Sequence, residues 1–95
     1  MSYLFLNLKG EYFDQIKSGT KKVEYRIYND YWKKRLLDGA RFKEWDKIVI
    51  RRGYPRSDDY TRQIMRNWRG VSIETITHPH FGSEPVKVFA IRVDS

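Results

Sequence analysis

Within eight residues the chain sets Gly19, Lys21, Glu24 and Arg26. An ammonium and a guanidinium beside a carboxylate form a polar set that can hold a phosphate or read a base. With a tuned lysine, the same set could activate a nucleophile or neutralise an oxyanion. Glu24 and Arg26, two residues apart, share one face of an extended segment, whereas Lys21 stands at an odd separation and points the other way unless the strand begins after it. Two arrangements satisfy this spacing. Strand-end twist would gather all three around one cleft, and an exposed hairpin face would leave a local Glu–Arg pair worth less than about 1 kcal/mol in solvent.

A second set is basic. Residues 1 to 50 carry eleven bases against seven acids, residues 51 to 70 six against two, and residues 71 to 95 two against three, for a formal charge of +7. All six bases of the middle segment are arginines: Arg51, Arg52, Arg56, Arg62, Arg66 and Arg69. Their planar forks bind phosphate bidentately and stack on bases. Tyr54, Tyr60 and Trp68 are interleaved with them, and alternating cation and ring suits a groove that tracks single-stranded nucleic acid. A solvated basic face explains the charge alone equally well. Tyr54, after Gly53 in a loop, is the better stacking candidate; Trp68 shares a strand face with Ile64 and is expected in the core.

His78 and His80 flank a proline in a turn and Asp58 adjoins Asp59 in a polar loop. Neither pair has a clear third ligand, so no metal or other cofactor is expected. No nucleophilic triad, zinc-binding helix or phosphate-cradling glycine loop is present.

The elements that must position these groups follow from periodicity. Leu4, Leu6 and Leu8 alternate with Tyr3, Phe5 and Asn7, which predicts a central strand. Residues 10 to 18 give a short amphipathic helix stopped by Gly19. A strand over residues 21 to 26 follows, with Val23 and Tyr25 on one face and Lys22, Glu24 and Arg26 on the other. Asn29 or Asp30 caps a second helix over residues 31 to 37, ended by Asp38-Gly39. Strands are predicted at 46 to 52, 62 to 69, 70 to 78 and 86 to 93. Phe13, Trp32, Phe42 and Phe89 are expected to fill the core. The fold class is thus α+β and predominantly β: a small, nearly closed barrel of about six strands with two short helices near the N-terminus, or an open sheet covered by the helices.

Ninety-five residues with 40% hydrophobic and 33% charged side chains describe one globular domain, 1–95. The absence of cysteine excludes disulfides and thiolate metal clusters and fits a reducing compartment, so a cytoplasmic location is expected. The apolar run at residues 3 to 8 is too short to span a bilayer and lacks the flanks of an export signal, so no membrane association is expected.

The run Gly19-x-Lys21-x-x-Glu24-x-Arg26 resembles the signature of the ASCH domain, the homology domain of the activating-signal-cointegrator family. The likeness extends over the opening strand and helix, the Ile48-Val49-Ile50 strand followed by Gly53, and a closing strand over residues 88 to 93, so the chain looks like a small single-domain bacterial or phage-type member. That resemblance implies a PUA-like β-barrel whose signature residues line a cleft at its mouth. It makes Lys21 and Arg26 candidates for phosphate or base contacts, and Glu24 an acceptor for an exocyclic amine or a brace for Arg26.

The resulting expectation is an RNA- or nucleotide-binding domain, with Lys21, Arg26, Arg51, Arg52, Tyr54, Arg66 and Arg69 as binding residues. The alternative is a hydrolase using Lys21 and Glu24 as catalytic residues, either a ribonuclease or an amidohydrolase acting on a modified nucleoside. In the acetylcytidine-hydrolysing branch of the family, Lys21 matches the signature lysine and Glu24 stands where that branch has threonine. No residue aligns securely with its downstream glutamate, Glu74 included. A third reading has the basic face meeting an acidic protein partner.

Overall fold

The structure, a computed structural model, describes residues 2–54 and 59–95. Arg56 and Asp58 therefore lie outside the described residues. The chain is α+β and mostly strand. It begins with β1 (Tyr3–Leu8), α1 (Gly10–Ser18), β2 (Val23–Ile27) and α2 (Asp30–Leu36), followed by a hairpin of β3 (Leu37–Asp38) and β4 (Arg41–Phe42). Then come β5 (Lys47–Arg52), β6 (Gln63–Asn67), β7 (Val71–Ile76) and β8 (Val86–Arg92), with 3-10 turns at Tyr60–Arg62 and Pro79–Phe81. The six strands and two helices read from periodicity are all present.

The ladders form separate sheets. β1 pairs in parallel with β5, which pairs antiparallel with β6; β8 sits between β2 and β7, antiparallel to both; β3 and β4 pair only with each other. Among the described residues no ladder joins the first sheet to the second, so their main-chain bonding does not close into a barrel. β1 and β2 are edges of different sheets.

The core lies where the two sheets and two helices converge. Leu4, Leu6 and Leu8 of β1, Ile48 and Ile50 of β5, Phe89 and Ile91 of β8, and Val93 form one buried cluster with Phe13, Ile16 and Leu36 from the helices. Alternation explains the first sheet: its even-numbered residues on β1 and β5 point inward, and Tyr3, Phe5, Asn7, Val49 and Arg51 point out. Ile64 and Trp68 pack against the same cluster, so Trp68 belongs to the core as expected.

Two local expectations are corrected. α2 ends at Leu36, before Asp38-Gly39, because Leu37 turns extended (φ −116°, ψ 144°) and starts the small hairpin, whose turn contains Gly39 at φ +62°. Phe42 is 42% exposed rather than buried, since it sits on this two-stranded hairpin that neither larger sheet extends. No helix among the described residues is long and apolar enough to cross a membrane.

Candidate functional site

The turn between α1 and β2 fixes Lys21. Gly19 adopts φ +88°, the left-handed conformation that glycine reaches without a Cβ penalty, and its N–H bonds to the Ile16 carbonyl at 3.1 Å. The next two N–H groups, of Thr20 and Lys21, both donate to the Gln15 carbonyl, at 3.0 and 3.1 Å. Lys21 is therefore anchored to the end of α1, two residues before the strand begins. The odd spacing of its side chain relative to Glu24 stops mattering, since strand alternation does not yet apply.

The register of β2 decides where the polar face goes. Glu24 pairs with Ile91 and Arg26 with Phe89, both core residues, so the Glu24–Arg26 face turns inward while Val23 and Tyr25 turn away from the core. Glu24 is 7% exposed, the sole buried polar residue among those described. The exposed-hairpin alternative is thereby overturned: the face is not solvated, because the core-facing side of β8 lies directly beside it.

Burial of a carboxylate requires partners. Lys21 Nζ stands 3.3 Å from Glu24 Oε1, and Arg26 Nη1 stands 2.8 Å from Oε2, so each oxygen faces one cation. Arg26 is held by more than the ion pair. Its Nη1 donates to the Tyr25 carbonyl at 3.0 Å, its Nη2 donates to the Asn7 carbonyl at 3.3 Å, and its guanidinium lies 5.4 Å from the centre of the Trp32 ring. The bond to Asn7 spans the gap between the edge strands β2 and β1. Arg26 is thus a strut that fixes Glu24 and ties the sheets together. Lys21 makes one ion pair and lies 5.6 Å from the Tyr12 ring centre, so of the two cations it retains more donors to offer a ligand.

These groups form the floor of a cleft of about 370 Å³, in the size range of small-molecule sites. Tyr12 from α1 and Trp32 from α2 stand on its walls, with Asn29, His78 and Phe81 also lining it. Trp32 is set in place by the cap of its helix, where Asn29 Oδ1 accepts from the Trp32 main-chain N–H at 3.0 Å. Trp32, expected in the core, does pack against it, as does Tyr12, but each also faces the cleft. Tyr12 lies one position off the Phe13–Ile16 stripe, a signal that it straddles core and solvent.

The arginine-rich segment divides between two ends of the first sheet. Arg51 and Arg52 stand opposite Asn7 and Leu8, beside the cleft. The Arg51 guanidinium lies 4.5 Å from the Phe5 ring centre, and Arg52 Nε stands 3.6 Å from Asp14 Oδ1. Tyr54 is 91% exposed. Arg66 pairs with Ile48, four residues back along β5 from Arg52 and so roughly 13 Å away. It is committed internally: Nη1 donates to the Val93 carbonyl at 2.6 Å and Nη2 to the Ile16 carbonyl at 3.0 Å. Arg69 Nη1 donates to the Ser95 carbonyl at 2.9 Å. The cleft therefore gathers Lys21, Glu24 and Arg26 with Arg51 and Arg52 nearby, and leaves Arg66 and Arg69 outside its lining.

Glu74 lies exposed on β7, where its Oε2 accepts from Ser72 Oγ at 3.0 Å, and is not among the cleft residues. Asp59 caps a 3-10 turn, Oδ1 accepting from the Thr61 N–H at 3.2 Å. Among the described residues no group of three or more His, Cys, Asp and Glu side chains is placed to hold a metal ion. Comparison with family models, with curated proteins and with solved structures finds no match to this chain.

Proposed function

We propose that the cleft binds a nucleotide, free or as part of a single-stranded RNA, and that the chain is an ASCH domain of PUA-like, open-barrel form. The observation that carries this reading is the buried Glu24 between Lys21 and Arg26, at the foot of a slot with Tyr12 and Trp32 on its walls. Aromatic rings provide flat apolar surface for a base, the carboxylate keeps lone pairs that can accept from an exocyclic amine, and Lys21 supplies the cation for a phosphate. All four signature positions contribute: Gly19 sets the turn, Lys21 and Glu24 meet the ligand, and Arg26 braces Glu24.

Binding is better supported than hydrolysis. Both Glu24 oxygens are engaged by cations, and among the described residues the cleft lining holds no Ser, Thr or Cys side chain. An acidic protein partner makes no use of the slot and its rings, whereas a base needs both.

Fluorescence titration of the cleft tryptophan with the four nucleoside monophosphates tests the reading. Saturable quenching is expected, with affinity falling as salt rises and Lys21→Met weakening it by about tenfold, as for loss of one charge-assisted phosphate contact. Absence of saturable binding to any monophosphate, or affinity indifferent to Lys21→Met, would remove its basis. Unchanged nucleotides and RNA after prolonged incubation, with and without divalent ions, are the expected result against turnover.

A further inference from the structure

The outward face of the first sheet does not line the cleft, apart from Asn7 at its edge. Phe5, Val49 and Met65 stand in one row across β1, β5 and β6, alternating with the residues of the central cluster, and Val49 in the middle is itself buried at 3% exposure. The two outer members of the row are 44% and 57% exposed, large values for apolar side chains at the middle of their strands. Tyr3 meets Phe5 edge-on, with ring centres 6.5 Å apart and planes at 88°. Along β5 the row is bracketed by Lys47 and Arg51, roughly 13 Å apart. Arg51 lays its guanidinium over the Phe5 ring, and Lys47 bonds to the Asn67 side chain. The remaining outward positions of these strands carry amides, so this face holds two cations and no acid.

We propose that this sheet face is a second binding surface, for single-stranded RNA, on which bases stack against Phe5 and the guanidinium plane of Arg51 while Lys47 and Arg51 meet phosphates. Charge complementarity selects the occupant. A polyanion with flat apolar faces satisfies rings and cations together, whereas a second copy of the chain docked face to face would oppose Lys47 and Arg51 to their like. The face adjoins the cleft through Asn7, which pairs with Arg51 and whose carbonyl holds Arg26, so one strand of RNA can occupy both. The proposal does not require the cleft to be filled.

Fluorescence anisotropy with labelled octauridylate, beside titration with uridine monophosphate, tests it. Phe5→Leu, which keeps an apolar side chain and removes the ring, is expected to weaken octauridylate binding by about tenfold and leave monophosphate binding unchanged. Arg51→Gln should lower the logarithmic salt slope by about 0.7, the amount for one phosphate on a single strand. If monophosphate does not bind but both effects on octauridylate persist, the cleft reading falls and this one stands. Octauridylate affinity and salt slope that are the same in wild type, Phe5→Leu and Arg51→Gln would overturn the proposal. So would a dimer in sedimentation velocity that Phe5→Leu dissociates. Should Phe5→Leu lose its far-ultraviolet spectrum, Met65→Ser and Arg51→Gln decide the matter on the same face.

Discussion

Arg26 and Arg66 are half-buried guanidiniums that each donate to main-chain carbonyls, yet they do different work. Arg26 also grips a buried carboxylate at the floor of an aromatic cleft. Arg66 reaches the Val93 and Ile16 carbonyls and lies with Arg69 and Asp94 at a corner whose guanidiniums are already bonded within the chain. Charge density along the sequence would favour the second region as the ligand-binding one. Availability depends instead on what each cation has already bonded, and on whether flat apolar surface stands beside it.

That contrast can be broken by mutation. The largest effect is expected at Arg66→Ala, which takes a donor from the Val93 carbonyl, leaves the Ile16 carbonyl to the Gly19 N–H and removes a packed stem; a loss of about 3 kcal/mol in urea unfolding is expected, with nucleotide affinity changed less than by Lys21→Met. Glu24→Gln should cost less, about 2 kcal/mol, because Lys21 and Arg26 keep partial access to water while facing each other without the carboxylate. Adding Lys21→Met to that variant should recover part of the loss, and a cycle with no coupling would show that the three groups do not act together. Trp32→Leu is expected to reduce nucleotide affinity about tenfold while changing stability by less than about 1 kcal/mol.

The smallest effect belongs to the Asp94 corner and to acid. Asp94 accepts from Arg92 Nε at 2.9 Å and Nη2 at 2.7 Å, and this hydrogen bonding holds its carboxyl down to about 2 from an ordinary 3.8. A lowered folded-state pKa means that the stabilisation is complete above the ordinary value and disappears as pH falls through about 2. Wild type should therefore exceed Asp94→Asn slightly at neutral pH, and the gap should close between about pH 4 and pH 2 in thermal unfolding. A gap that persists below pH 2 would assign the difference to packing.

Much of this molecule was legible in its residues. Strict alternation in residues 3 to 8 and the Phe13–Ile16 spacing ending at Gly19 identify β1 and α1 because one buried face controls each pattern. The signature spacing named Lys21, Glu24 and Arg26 as a set. Their convergence was not legible, because it depends on the turn bonds to the Gln15 carbonyl and on which side of β2 meets β8; alternation gives two faces but not which is inward. The exposure of Phe42 is not legible in the sequence, because a two-residue strand has too little pattern to show that no larger sheet extends over it. The division of the arginines was hidden for a similar reason: proximity in sequence between residues 51 and 69 becomes separation across a hairpin.

The gap between β1 and β2 is spanned by a side chain instead of a ladder. A ladder distributes its strength over many peptide groups and resists any single substitution, whereas a clasp made by one long side chain can be loosened, shortened or re-aimed by changing one codon. Arg26→Lys would keep the charge while surrendering the fork, letting the two edges part at the mouth without dismantling either sheet. Arg26 also lies against the Trp32 ring, so under the proposed binding role that one residue is where recognition would be most easily retuned.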